Sequence, residues 1–170
     1  MSTVKLVEWS LPAKLHLKDK EVRQLIKEFT ERYPASEPTL KSAKVFEELS
    51  VDGNSVFFVD GKPLILRTKT ELLPSLKFEE LINTLSKIVV DMGAVSHVVN
   101  GAHIMRPGIR QFKGDFASGS LVVIIDEKYG KALALGRAEM ESNAMQSQTK
   151  GKVVANLHFV GDDFWKSFTT

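Results

Sequence analysis

Two Asp-Gly pairs, Asp52-Gly53 and Asp60-Gly61, interrupt an otherwise apolar stretch in the first half of the chain. Both positions of such a pair can adopt the positive φ angles that a tight two-residue turn requires. Asp-Gly between apolar runs is therefore the strongest local indication of a β-hairpin. With two pairs so close together, the sequence predicts a meander of three antiparallel strands near residues 43–51, 54–60 and 62–68.

A helix is predicted immediately before this meander. Apolar side chains recur at helical spacing between residues 19 and 33, with charged residues between them, and Pro34 ends the pattern. The members of this apolar stripe are Val22, Leu25, Ile26, Phe29 and Tyr33. We also expect a short strand near residues 3–8 and a short helix near residues 77–84, which would complete a small α+β unit.

The pattern changes from residue 87 onward, where short apolar runs alternate with glycines. "KIVVD" predicts a strand, "MGAVSHVVNGAH" a short helix and "IMRPGI" an extended segment. Residues 120–139 predict two strands joined at Tyr129-Gly130, and "GKVVANLHFV" predicts a last strand. Short strands with glycine-rich turns are typical of a small β-barrel. We therefore predict an α+β fold with an N-terminal α+β domain (residues 1–82) and a C-terminal barrel domain (residues 83–170).

Several classes of function have no support in the sequence. The chain has no cysteine, which excludes disulfides, thiolate metal sites and thiol catalysis. The four histidines do not have the spacing of a helical zinc site, and phosphate-loop, dinucleotide and hydrolase-elbow motifs are absent. No segment matches a signal peptide or a membrane span. We expect a cytoplasmic protein that is not an enzyme, holds no metal or cofactor and has no membrane partner.

Residues 98–115, "VVNGAHIMRPGIRQFKGD", combine three glycines, one proline and three basic side chains. Ordered glycines usually indicate a forced turn or a close approach of the backbone. A phosphate cradle, a structural turn and an RNA-facing loop all fit this composition. The net charge of the whole chain is only +2, but residues 87–152 carry nine basic residues against six acidic ones. The second half is thus mildly basic.

An ordered series of motifs in this half resembles a PUA domain, a small RNA-binding barrel. The series covers about residues 85–165 and consists of Asp91, Gly93-Ala94, Asn100-Gly101-Ala102, Pro107-Gly108, Gly114-Asp115, Ala132–Gly136 and Lys150-Gly151. "GAHIMRPGI" and "FVGDDFWKS" look most like the branch of malignant T-cell amplified sequence proteins and ligatin-like translation factors. The layout of the N-terminal half is similar to the archaeal version. Met92 occupies a position that is often basic in the family.

The resemblance implies an RNA-facing groove formed by the short helix and the segment after it. It implies that Gly101, Ala102 and Pro107-Gly108 shape this groove, and that three basic residues of nearby strands, Arg137, Lys150 and Lys152, lie close to it. The residues themselves suggest three phosphate contacts, Arg106, Arg110 and Lys113. For any single basic residue, an ordinary solvated surface position is an equally good interpretation.

Three functions stay open at this point. The first is a non-catalytic protein that binds tRNA or rRNA of the small ribosomal subunit in initiation or recycling, with the ribosome or a translation factor as partner. The alternative is an RNA-binding accessory subunit of a tRNA- or rRNA-modifying enzyme. A stand-alone enzyme with its active site in the N-terminal half has the least support, since that half offers one histidine, His16, and acids that suit turns.

Overall fold

The computed structural model describes residues 13–169 and shows two β-sheets, one from each half of the chain. In chain order the strands are β1 (Leu15–His16), β2 (Phe46–Val51), β3 (Asn54–Val59), β4 (Lys62–Arg67), β5 (Leu72–Pro74), β6 (Lys87–Val90), β7 (Ile104–Met105), β8 (Ile109–Lys113), β9 (Leu121–Asp126), β10 (Ala132–Ala138) and β11 (Lys152–Phe159). The helices are α1 (Asp19–Arg32), α2 (Glu37–Ser42), α3 (Glu79–Ile82), α4 (Met92–Val98), α5 (Ser142–Ser147) and α6 (Asp163–Thr169). Single 3-10 turns lie at Pro34–Ser36 and Arg106–Gly108.

The N-terminal sheet has the order β1-β2-β3-β4-β5, and all its strand pairs are antiparallel. Asp52 and Asp60 have φ angles of 48°, and Gly53 and Gly61 have φ angles of 82° and 81°. These angles confirm both predicted hairpins. The predicted helix is confirmed as α1, which buries Leu25 and Phe29 against the sheet. The strand expected near residues 3–8 lies outside the described residues.

The C-terminal sheet has the order β7-β11-β10-β9-β6-β8 and curls into a half-barrel. Strands β6 and β9 are parallel, and the other pairs are antiparallel. The α+β class is therefore confirmed. The segment "IMRPGI" is extended at Ile104–Met105 and again at Ile109, where β8 begins, but a 3-10 turn at Arg106–Gly108 interrupts it. Strand β8 and helices α5 and α6 were not predicted.

Strand β9 is buried along its whole length because both of its faces are covered. Val122 and Ile124 point into the core of the half-barrel. Leu121, Val123 and Ile125 belong instead to the core that contains α1 and the N-terminal sheet. The two halves of the chain thus pack on opposite faces of one strand.

Charged side chains close the edge of this contact. Glu71 accepts from the guanidinium groups of Arg137, in the C-terminal half, and Arg32, at 3.1 Å, in α1. Arg137 also donates to the carbonyl of Gly119 at 2.9 Å. The three side chains are between 18% and 48% exposed, so the network lies at the rim of the shared core.

The division of the chain into two domains between residues 82 and 83 stays a prediction. The apolar core of the half-barrel makes it testable. Residues 83–170 contain an apolar cluster of their own, so we expect this fragment to fold. Without the N-terminal half it uncovers the other face of β9, and exposed apolar patches promote association. Circular dichroism should show a cooperative transition, and size-exclusion chromatography should show self-association. A fragment without cooperative unfolding would contradict the division.

A largely buried carboxylate, that of Asp162, caps the start of α6. Asp162 Oδ2 accepts from Nδ1–H of His158 at 2.7 Å and from the backbone of Phe159 at 3.0 Å, while Oδ1 accepts from the backbone of Trp165 at 2.8 Å. Burial raises the pKa of Asp162, but the hydrogen bonds and the charge of His158 outweigh it, and the net pKa lies below its ordinary value.

Because the folded pKa of Asp162 is lowered, its contribution to stability is present above the ordinary value of 3.8 and is lost as pH falls through the lowered value. Asp162→Asn should therefore lower the free energy of unfolding near neutral pH, and its difference from the wild type should shrink in acid. Urea unfolding across pH measures this. The neighbouring exposed Asp163→Asn is the control, and a difference for Asp162→Asn that does not vary with pH would contradict the role of its charge.

Candidate nucleic-acid interface

A mainly apolar cavity of about 350 Å³ lies between α4 and the segment that follows it. It lies in the C-terminal half, between the helix and the segment where the family resemblance implies an RNA-facing groove. Its walls come from the end of β6, from α4 and from residues 102–108; they consist of Val90, Ala94, His97, Val98, Ala102, His103, Ile104, Met105 and Gly108. We call this cavity the groove. Met105, which is half exposed, was not among the predicted site residues.

Helix α4 begins where the sequence indicates. Asp91 Oδ1 accepts from the backbone N–H of Ala94 at 2.8 Å, which satisfies a free donor in the first helical turn. The backbone N–H of Asp91 donates to the carbonyl of Gly108 at 2.9 Å. The side chain of Asp91 therefore caps the helix, and its backbone N–H fixes the distance between the start of α4 and the opposite wall of the groove.

Two of the predicted glycines, Gly101 and Gly108, are required for different physical reasons. At Gly108 a Cβ would lie 3.3 Å from Cβ of Ala94, so small residues let the 3-10 turn approach α4 closely. Gly101 has a φ of 90°, and a Cβ there would lie 3.1 Å from the ring of Phe159. Gly108 sets the width of the groove, and Gly101 turns the chain after the helix.

Asn156 on β11 stabilises the turn after α4 through hydrogen bonds. Its side-chain amide donates to the carbonyls of Val98 and Ala102, both at 3.0 Å, and its backbone N–H donates to His103 Nδ1 at 3.0 Å. Since Nδ1 accepts, the neutral imidazole of His103 carries its proton on Nε2. Asn156 was not among the residues predicted from the sequence; the polar amide within "VVANLHF" was the available signal.

Arg106 is engaged within the protein. Its guanidinium donates to the carbonyls of Met145 at 3.0 Å and of Ile109 and Gln146 at 3.4 Å, and it lies 5.4 Å from the centre of the Phe112 ring. Its backbone N–H donates to Gly151 at 2.8 Å. The residue thus ties α5 and the start of β11 to the groove wall.

Four of the other predicted basic residues have exposed side chains. Arg110 is 62% exposed and lies 3.7 Å from Glu127 and 3.9 Å from Asp91. Lys152 pairs with Glu139 at 3.0 Å and stands opposite Met105 in the β7–β11 register. Lys113 and Lys150 are exposed and make no ion pair within residues 13–169. These exposed pairs are weak and easily exchanged for other partners.

Arg137 lies elsewhere, at the rim between the two halves, where Glu71 and Gly119 hold it. Met92 is exposed at the first position of α4, so this end of the helix presents an apolar side chain. Within residues 13–169 no group of three or more His, Asp or Glu side chains could hold a metal ion. In the same part of the chain, no helix has both the length and the apolar composition needed to cross a bilayer.

Comparison with known proteins identifies the family. The model of the PUA domain matches residues 86–160. An uncharacterized protein of Methanocaldococcus jannaschii is 30% identical over 88% of this chain and 93% of its own length. Translation machinery-associated protein 20 of Saccharomyces cerevisiae is 35% identical over 67% of each chain. The chain belongs to this family of PUA-domain proteins. Malignant T-cell-amplified sequence 2 of Mus musculus is 27% identical over 89% of each chain, so the resemblance predicted from the motifs is confirmed.

A solved structure agrees with this assignment. The hypothetical protein of Pyrococcus horikoshii superposes with a TM-score of 0.71 at 27% identity, covering 92% of this chain and all of that one. The likeness extends beyond residues 86–160, so the N-terminal half also has a counterpart in that solved structure.

The turn after α4 gives a test with an internal control. Gly101→Ala and Gly119→Ala both place a side chain at a positive φ, 90° and 84°, which costs about 1–3 kcal/mol. Only at Gly101 does the added Cβ meet another side chain, the ring of Phe159. We expect Gly101→Ala to lower the free energy of unfolding more than Gly119→Ala, as measured in urea. Equal losses would show that the Phe159 contact adds nothing.

Proposed function

We propose that this PUA-domain protein binds RNA through the groove and the basic residues around it, without catalysing a reaction. The observation that carries the proposal is the groove itself, which small residues open between α4 and residues 102–108. Apolar walls of this kind suit the faces of unstacked bases, which single-stranded RNA offers. The uncharged residues of the proposed site are Gly101, Ala102, Pro107 and Gly108.

The positive charge around the groove supports binding to a polyanion. Arg110 lies beside Asp91, which caps the first turn of α4, whereas Lys152 stands opposite Met105 at the β7–β11 edge, and Lys150 precedes it in the bend before β11. We include Lys113, at the exposed end of β8, as a fourth phosphate contact. Arg106 shapes the groove wall through its bonds to three carbonyls, and Arg137 is left out because it lies between the two halves.

The names of the relatives suggest where such binding would be used. Those relatives include proteins called translation machinery-associated protein 20, and one covers 67% of this chain. We therefore infer a role in translation, with tRNA or small-subunit rRNA as the RNA and the cytoplasm as the location. Co-sedimentation with ribosomal subunits would support this role, whereas co-purification with an RNA-modifying enzyme would support the accessory-subunit alternative.

Salt dependence tests the proposed phosphate contacts. Replacing Arg110, Lys113 and Lys150 with alanine removes up to three contacts that release counterions. The slope of log Kd against log salt for tRNA should become shallower by about 0.7 per lost contact on single strands, or about 0.9 on a duplex. Stability should change by less than about 0.5 kcal/mol for each exposed side chain.

The matched control removes three charges from α1, at Lys20, Arg23 and Lys27, all of which are exposed. Filter binding or fluorescence anisotropy at several salt concentrations compares the two variants. We call the replacement of Arg110, Lys113 and Lys150 the groove variant. If the three substitutions in α1 weaken tRNA binding as much as the groove variant does, the attraction is diffuse and the proposed face is wrong.

A further inference from the structure

The tip of the β9–β10 hairpin, residues 127–131, presents an aromatic side chain to solvent. Tyr129 is 64% exposed, and it is the only aromatic residue among the large exposed apolar side chains of residues 13–169. The ammonium groups of Lys128 and Lys131 lie 5.1 and 5.9 Å from the centre of its ring. Its hydroxyl makes no hydrogen bond within the described residues. Apart from the two lysine contacts, the side chain therefore shows no interaction that stabilises the fold.

The backbone that carries Tyr129 is held in place by a buried carboxylate. Asp126, 4% exposed, accepts from the backbone N–H groups of Lys128 at 2.9 Å, Tyr129 and Lys131 at 3.0 Å. The N–H of Tyr129 is the main cause of a lowered pKa at Asp126, which stays ionised near neutral pH. Because the tip is already ordered, a ligand bound there would lose little free energy in ordering the loop.

The hairpin tip lies next to the groove. Asp126 stands opposite Val90 in the parallel β6–β9 register, and Val90 lines the groove. The backbone N–H of Glu127 donates to Val90 at 3.0 Å, and its carboxylate accepts from the N–H of Met92 at 3.2 Å. The acidic charge of Glu127 faces Arg110 at 3.7 Å. The base of the hairpin tip is therefore hydrogen-bonded to the end of β6 and the start of α4, and Arg110 lies beside this connection.

We propose that Tyr129 stacks on an unpaired base of the bound RNA while Lys128 and Lys131 bind the flanking phosphates. Aromatic side chains interleaved with basic ones are the usual means of holding single-stranded nucleic acid. A base that stacks on the ring displaces one lysine from it, and the displaced ammonium then reaches a phosphate. Base stacking is stronger than the exposed cation–π contact that it replaces. This inference rests on the proposed function and extends the RNA-binding surface beyond the groove.

Two probes separate stacking from charge. The first is a short fluorescein-labelled oligouridylate, and the second is a sugar-phosphate chain of equal length without bases. Tyr129→Ala should weaken binding of the oligouridylate about five- to tenfold, toward the lower end of the range for loss of one base stack, and leave the abasic probe unchanged. Tyr129→Phe should bind both probes like the wild type. Lys128→Ala with Lys131→Ala should make the salt slope shallower by about 0.7 per lost contact on both probes.

Leu15→Ala is the matched control for removal of an exposed apolar side chain, since Leu15 is 69% exposed and lies in the N-terminal half. If Tyr129→Ala has no effect, or weakens both probes equally, stacking is overturned. If the groove variant loses binding while Tyr129→Ala does not, the hairpin inference falls and RNA binding by the groove stands. If the wild type binds neither tRNA nor the oligouridylate, both proposals are overturned.

Discussion

The burial of β9 on both faces is the constraint on which the rest of the structure depends. One face of the strand fills the half-barrel, and the other completes the core around α1 and the N-terminal sheet. A strand with both faces buried needs a nearly continuous apolar run, as "LVVII" is. The one buried charge of β9, Asp126 at its end, is satisfied by backbone N–H groups of the following turn. Because β6 pairs with β9 in parallel, Val90 and Asp126 end side by side. The groove wall at Val90 and the base of the hairpin tip at Asp126 are thereby placed at the same end of these two strands.

The groove owes its shape to close contacts between small groups. Ala94 and Gly108 meet where larger side chains would force α4 away from the 3-10 turn. Asn156 donates to carbonyls at the end of α4 and in the turn after it, and Arg106 donates to a carbonyl of α5, so the walls keep their separation without a ligand. An apolar cavity held open in this way can take a flat, unstacked base at little cost in reorganisation.

The basic residues fall into two groups with different tasks. Arg106 and Arg137 use their planar guanidinium groups to join segments distant in the chain, a task that suits a side chain with five donors in a fixed fork. Arg110 and the lysines near the groove are exposed and weakly paired, as phosphate contacts need to be. The net charge of +2 hides this division, because it sums basic and acidic residues over the whole chain.

The sequence by itself determined the elements that follow from local backbone chemistry. Asp-Gly pairs specified the two hairpins, periodic apolar residues specified α1, and "MGAVSHV" indicated α4. Only the tertiary structure decided that "IRQFK" is a strand, because pairing with β6 stabilises a segment that has no regular apolar pattern. It also decided that Arg137 meets Glu71. Backbone preferences act over a few neighbouring residues, whereas the partner of a charged side chain depends on which distant segments the cores bring together.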